Sequence, residues 1–180
     1  IGPAPIGLGT GRETVGRITS IALDPTNAQV LYIGGATGGV WKTTSNGALW
    51  TPLLQDQGLM SIGDVTISQT NPDLLWVGTG ESNNRQSTSW GEGVYKSTDG
   101  GKSWRHLGLS DTRHIARVMV SPADPRTVYV CAVGHASGPS AERGVFVSRD
   151  GGTSWNKTLF VDDRHGCADL DLDPRNPNMV

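Results

Sequence analysis

The sequence has few of the residues that build helices, and this scarcity limits the possible fold classes. Lys and Glu each occur only four times in 180 residues, whereas Gly occurs 25 times. Long unbranched side chains favour helices and Gly disfavours them, while Thr, Val and Trp suit strands. The composition therefore favours an all-β protein of about one domain.

The sequence also lacks an excess of charge and a long apolar run. Lys and Arg total 15 against 17 Asp and Glu, which leaves a net charge of −2 and argues against a nucleic-acid-binding surface. No stretch approaches the roughly 20 apolar residues of a membrane span. The Gly-rich segment 7–11 follows no strand and precedes no Lys, so we interpret it as a flexible entry rather than a phosphate loop. We therefore expect no nucleic acid, membrane span or cofactor.

Cysteine and targeting signals are equally sparse. Cys131 and Cys167 both lie in apolar surroundings, and the simplest interpretation is two small buried hydrophobic residues. A disulfide is possible, but two cysteines do not establish one. Residues 1–5 lack the features of a signal peptide, as would the start of a processed extracellular protein.

An eight-residue segment of the chain is repeated. Residues 97–104 (STDGGKSW) recur as 148–155 (SRDGGTSW), with a degenerate copy at 43–50 (TTSNGALW). Two apolar runs separated by a Pro-bearing turn precede each copy, and a fourth such unit begins near residue 170. Each unit thus predicts four short strands. Four-stranded units at this spacing are typical of β-propeller blades.

The repeat defines the expected organisation. A propeller normally needs four to eight blades, and an open ring exposes an apolar sheet face. We therefore expect either a segment of a longer propeller or copies that assemble to close a ring. The predicted parts are an entry segment at 1–16, blades at 17–54, 55–108 and 109–160, and the start of a fourth blade at 161–180.

The repeated segment resembles the Asp-box, or BNR repeat, whose pattern is Ser/Thr-x-Asp-x-Gly-x-x-Trp. Residues 38–44 and 93–101 are similar to Asp-box propellers of the sortilin-like and xyloglucanase-like glycosyl hydrolase group. The resemblance implies the propeller fold. It says little about function, since such propellers include sialidases, plant-polysaccharide hydrolases, sorting receptors and photosystem assembly factors.

The repeated turn itself is expected to be structural. A short carboxylate can accept turn N–H groups, Gly permits positive φ, and Trp fills the space between sheets. In the first copy Ser45 replaces the Asp and still offers an acceptor. The predicted structural residues are Ser97, Asp99, Gly101, Trp104, Ser148, Asp150, Gly152, Trp155 and Trp50.

Candidate binding residues gather in the loops on the opposite face of the blades. The loops between second and third strands are long in units two and three, as is usual where a rigid scaffold presents functional residues. Alignment of the innermost strands also places Ser20, Asp64, Arg117 and Asp169 at one equivalent position, either as a channel lining or as the floor of a ligand site. The ligand-binding candidates are Arg17, Asp64, Glu81, Arg85, Trp90, His114, Arg117, Glu142, Arg143, His165 and Asp169.

Catalysis is weakly indicated. Glycoside hydrolysis needs two carboxyl groups roughly 5–9.5 Å apart, and Asp64, Glu81 and Asp169 are only weak candidates. In xyloglucan-cleaving relatives the resemblance implies an Asp base before the first Gly-Gly, where this chain has Ala36. The alternating acids Asp169, Asp171 and Asp173 suggest calcium, but Asp173 precedes a Pro and fits a turn acceptor, so we predict no metal.

The sequence leaves three functional hypotheses. The first is an extracytoplasmic, secreted or periplasmic, propeller module that binds a glycan or protein, with exposed Trp90 stacking on a sugar ring. The second is a sialidase-like or xyloglucanase-like glycoside hydrolase whose carboxylates are completed by other blades. The third is a sortilin-like sorting or assembly scaffold.

Overall fold

The computed structural model describes residues 6–7, 13–14, 16–83, 88–173, 175–176 and 179–180. Two short strands, β1 (Ile6–Gly7) and β2 (Glu13–Thr14), pair antiparallel near the start. This ladder lies within the predicted entry segment 1–16, and residues 8–11 of its Gly-rich part lie outside the described residues. Short 3₁₀ helices occur at Gln55–Gln57 and Ser110–Thr112.

Three four-stranded antiparallel sheets follow, each made of strands consecutive along the chain. They form three blades of a partial β-propeller, which confirms the predicted all-β fold class. The blades are β3 (Ile18–Leu23), β4 (Leu31–Gly35), β5 (Gly39–Thr43) and β6 (Thr51–Leu53); β7 (Ile62–Ile67), β8 (Leu75–Thr79), β9 (Val94–Ser97) and β10 (Arg105–His106); and β11 (Ile115–Val120), β12 (Val128–Ala132), β13 (Gly144–Ser148) and β14 (Asn156–Leu159).

The strand that the sequence predicts near residue 170 does not form within the described residues. A strand needs a ladder partner for its backbone groups, and no described segment pairs with this one. Leu172 nevertheless packs against Tyr129, Val145 and Val147 on the third blade. The apolar side chain of Leu172 therefore packs on the third blade although its segment forms no strand.

The middle strand β8 is buried on both faces because the second blade is packed between the first and the third. In β8 all five residues are buried, and alternate side chains enter different cores. Leu75 and Val77 join the core shared with the first blade, whereas Trp76 joins the core shared with the third. A Cβ at Gly63 or Gly78 would collide with Ile115, so the inner strands approach closely only where Gly allows it.

The repeated turns at 43–50, 97–104 and 148–155, named here the Gly-Gly turns, share one set of hydrogen bonds. Asp99 Oδ1 accepts from Ser97 Oγ at 2.8 Å and from the Ser103 N–H at 2.9 Å. Asp150 makes the same bonds, and those from Ser154 and then Ser148 lower the pKa of its carboxyl to about 2. Each carboxylate closes its own turn.

Several contacts tie one blade to the next. Lys42 Nζ donates to the Gly100 carbonyl, and Lys96 Nζ donates to the Gly151 carbonyl, each at a distance of 3.1 Å. Both acceptors belong to the Gly-Gly turn of the following blade. The indole of Trp155 donates to the Leu107 carbonyl in the preceding blade at 2.7 Å. The turns therefore contribute to packing between blades as well as to local chain reversal.

A disulfide joins Cys131 to Cys167, with an S–S distance of 2.07 Å. The interpretation of two separate buried thiols was wrong. Cys131 is fully buried in β12, and its partner lies 36 residues later in the segment that follows the third blade. The bond fixes that segment to the sheet.

Apolar side chains remain exposed at both ends of the row of blades. Ile21 and Leu23 of β3 are 65% and 60% exposed, and Leu159, Phe160 and Val161 are exposed at the other end. The expected apolar edges of an open ring are thus present. No helix among the described residues has the length and apolar character needed to span a membrane.

Candidate functional site

The long loops of the second and third blades enclose a cavity of about 440 Å³, named here the loop-face cavity. The cavity is lined by the loop that follows β8, by the residue before β11, by the loop between β12 and β13, and by residues from the segment 164–168. Its volume lies within the roughly 300–1,000 Å³ typical of small-ligand sites. Polar side chains in its wall come from Glu81, Ser82, Asn83, Thr88, His114, His135, Arg143 and Arg164.

Glu81 is a fully buried carboxylate in this wall. It forms an ion pair with the guanidinium of Arg17, which lies just before β3. The Glu81 N–H also donates to Ser61 Oγ at 2.9 Å. Two sequence candidates are therefore brought together, and the pair links the loop-face cavity to the first blade.

His114 lies beside Glu81 and is likewise buried. Its Nδ1 is 2.9 Å from the Glu81 carbonyl oxygen, which can only accept, so Nδ1 carries the proton. Burial, followed by the positive charges of His135, Arg113 and Arg143, lowers the pKa of His114. The ring is therefore neutral at pH 7, with Nε2 as a hydrogen-bond acceptor.

Arg143 organises the loop between β12 and β13 through main-chain oxygens. Its guanidinium donates to the carbonyls of Asp163 at 2.9 Å, His135 at 2.7 Å and Gly138 at 2.9 Å, and also to that of Val133. All four acceptors are neutral. A buried positive charge therefore stands in the wall, and the structure gives it no carboxylate partner among the described residues.

Trp90 is an exposed aromatic residue on the loop between β8 and β9, which also contributes to the wall of the loop-face cavity. Its side chain is 69% exposed, and the Arg113 guanidinium carbon lies 5.4 Å from its ring centroid. The Arg113 backbone has a φ of 61°, and its carbonyl accepts from the Gly91 N–H at 2.7 Å. The Ser89 carbonyl accepts the N–H of the wall residue Glu81 at 3.1 Å, so the backbone just before Trp90 lies beside the cavity wall. The candidate Arg85 lies outside the described residues.

The aligned inner-strand residues form a second site, along the channel. Ser20 Oγ accepts the Val65 N–H, and Asp64 Oδ2 accepts the Val118 N–H, both at 2.8 Å. These two bonds join adjacent blades at equivalent positions. Asp64 is 4% exposed, and burial raises the pKa of its carboxyl to about 6, although the Val118 N–H and Arg117 oppose the rise.

The remaining sequence candidates form ion pairs with nearby charged residues. Arg117 Nε lies 3.7 Å from the exposed Asp169, Glu142 lies 3.8 Å from Lys157, and His165 contacts Asp162 at 2.8 Å. The weak catalytic candidates are not gathered in one cleft, since Glu81 lines the loop-face cavity whereas Asp64 lines the channel. Within the described ranges no group of three or more His, Cys, Asp or Glu is arranged to hold a metal ion.

Five polar residues of the cavity wall were not among the sequence candidates: Ser82, Asn83, Thr88, His135 and Arg164. All five belong to long polar loops, which is the only sequence signal that marks them. Arg164 reaches the cavity because the next residues are fixed to the third blade. The Cys167 N–H donates to the Ala132 carbonyl at 3.0 Å, and Gly166 passes so close to Val133 that a Cβ would collide with it.

Comparison with known proteins supports the fold. No protein-family model and no curated protein matches the sequence. Among solved structures, an ancestral GH74 enzyme matches 84% of this chain and 19% of its own, with a TM-score of 0.64 and 23% identity.

Two further solved structures also match most of this chain at low sequence identity. An auxiliary nutrient binding protein from Bacteroides thetaiotaomicron matches 84% of this chain and 32% of its own, with a TM-score of 0.58 and 14% identity. YCF48 bound to D1 peptide matches 83% and 42%, with a TM-score of 0.56 and 15% identity. The chain thus spans about a fifth of the GH74 enzyme and less than half of the other two, and the likeness is one of fold.

Proposed function

We propose that this partial propeller, an Asp-box repeat protein, binds a carbohydrate on its loop-rich face outside the cytoplasm. The observation that carries the proposal is Trp90, a 69% exposed indole on the same loop that supplies Glu81, Ser82, Asn83 and Thr88 to the wall of a polar cavity of about 440 Å³. An exposed aromatic ring offers an apolar face to a sugar ring, and the cavity offers hydrogen bonds to hydroxyl groups.

Two further features support the proposal. The disulfide between Cys131 and Cys167 suits an oxidising compartment, where such bonds persist. The Arg113 guanidinium lies over the Trp90 ring, 5.4 Å from its centroid, and this cation–π contact favours the observed orientation of the indole. A GH74 enzyme and a nutrient binding protein with the same fold make a carbohydrate a reasonable ligand class.

The test compares binding by variants of Trp90. Neutral and acidic oligosaccharides on an array identify a ligand, and isothermal titration calorimetry then measures its affinity. We expect Trp90→Ala to weaken binding about tenfold, the equivalent of ~1.4 kcal/mol for one stacked ring, and Trp90→Phe to retain most of the affinity. Leu49→Ala is the control, because Leu49 is 77% exposed on a Gly-Gly turn at the other face.

Each alternative outcome has a defined meaning. Equal affinities for the original chain and Trp90→Ala would remove Trp90 from the site. Failure to bind any oligosaccharide, together with capture of a polypeptide, would replace the proposal with a scaffold function. Release of reducing sugar by the chain would indicate a hydrolase.

A further inference from the structure

The loop-face cavity has two chemically different walls. Ser82, Asn83 and Thr88 provide neutral hydroxyl and amide groups on the loop after β8. His135, Arg143 and Arg164 provide basic groups from the third blade and the segment after it. A ligand that satisfies both walls carries neutral hydroxyl groups and a negative charge in one unit.

Two carboxylates near the basic wall, those of Glu81 and Asp162, are engaged with other partners. Glu81 is paired with Arg17. Asp162 accepts the N–H groups of Arg164 and His165 at 2.8 Å and also contacts the His165 ring. In the part of the chain that the structure describes, the guanidinium groups of Arg143 and Arg164 have no carboxylate partner.

Arg143 is especially informative because it is 7% exposed. Removing a charge from water is costly unless another charge or strong dipoles compensate for it. Four main-chain carbonyls supply dipoles, but they leave the net charge in place. Such a buried cation beside a cavity attracts an anionic group more strongly than a surface Arg does.

The wall is also held in place before any ligand binds. Arg164 lies three residues before Cys167, whose disulfide and backbone hydrogen bond fix it to β12. Asp163, the neighbour of Arg164, accepts the Arg143 Nε–H at 2.9 Å through its carbonyl. The Arg143 side chain and the backbone that carries Arg164 are thus held by one segment, which lowers the entropic cost of binding a ligand there.

We propose that the loop-face cavity selects a uronic acid residue of a glycan, with the carboxylate at Arg164 and Arg143 and the ring hydroxyls at Ser82, Asn83 and Thr88. This inference rests on the proposed carbohydrate-binding function and specifies its ligand class. Neutral His114 fits the same ligand, because its Nε2 accepts a hydroxyl proton rather than adding another charge. A simple inorganic anion would need only the basic wall.

The test measures binding of tetragalacturonic acid and of its carboxyl-reduced galactose counterpart by calorimetry with the chain. We expect the acid to bind at least about tenfold more tightly than the reduced sugar, since a charge-assisted hydrogen bond contributes that much. Arg164→Gln should weaken binding of the acid about tenfold and leave the reduced sugar unchanged. Arg164 is chosen because it is exposed, whereas replacing Arg143 removes the contacts that hold its loop.

The control is Arg149→Gln, since Arg149 is exposed on the Gly-Gly turn of the third blade, away from the cavity. It should bind both sugars as the original chain does. Equal affinity for the two sugars would overturn the uronate inference and leave carbohydrate binding intact. Equal losses with Arg149→Gln and Arg164→Gln would reduce the effect to overall charge and overturn it as well. Failure to bind either sugar, with binding to other glycans through Trp90, would also overturn it, whereas binding to no glycan would overturn both proposals.

Discussion

The buried carboxyl of Asp64 predicts a specific dependence of stability on pH. Burial raises its pKa from 3.8 to about 6. Between these values the unfolded chain releases the Asp64 proton while the folded chain keeps it, so the free energy of unfolding falls as pH rises. At about 1.4 kcal/mol for each tenfold change in proton affinity, the loss amounts to about 3 kcal/mol and is nearly complete at about pH 7.

Asp64→Asn removes this loss, because an amide does not titrate and its oxygen can still accept the Val118 N–H. The stability of the variant relative to the original chain should therefore rise by about 2 kcal/mol from pH 4 to pH 7, since a small part of the loss has already occurred at pH 4. Urea denaturation followed by the fluorescence of the six Trp residues measures this difference at each pH.

Ser20→Ala is the matched control. Ser20 accepts the Val65 N–H at 2.8 Å, as Asp64 accepts the Val118 N–H, but its hydroxyl does not titrate in this range. Its effect on stability should be the same at pH 4 and pH 7. An Asp64→Asn effect that is also the same at both pH values would refute the assignment of a raised pKa to Asp64.

Two further predictions concern contacts within and between blades. Reduction of the Cys131–Cys167 disulfide, which spans 36 residues, should lower the free energy of unfolding by about 4 kcal/mol. Urea denaturation with and without dithiothreitol measures it, and a double Cys→Ser variant that still responds to dithiothreitol would contradict the assignment. Lys96→Met should cost about 1 kcal/mol by removing the bond to the Gly151 carbonyl, while exposed Lys102→Met should cost less in the same thermal denaturation assay. Equal effects of the two variants would exclude a contribution from the Lys96 contact.

Local patterns in the sequence were sufficient to predict the blades and their turns. Alternating apolar residues specify a strand with two buried faces, and a Gly-Gly turn supplies both positive φ and its own carboxylate acceptor. In the turn at 97–104, each hydrogen bond of Asp99 joins residues within four positions of it. Interactions of such short range depend on residues that are close in the sequence, so the turns could be predicted without the tertiary structure.

The roles of individual charged residues depended on contacts between distant parts of the chain. The sequence indicated that Glu81 and Arg143 lie on the loop-rich face and that Asp64 lies along the channel. It did not show that all three side chains are buried. Glu81 pairs with Arg17 from the preceding blade. Arg143 donates to the His135 carbonyl in its own loop and to the Asp163 carbonyl in the segment after β14.

The sequence by itself therefore determined the repeating unit, because strand alternation and turn chemistry act over a few residues. The tertiary structure decided which side chains of different blades meet, and hence the Cys131–Cys167 disulfide and the cavity where Arg143 and Arg164 lie together. The physical reason is that solvation, charge pairing and pKa depend on neighbours in space, which packing of the blades selects.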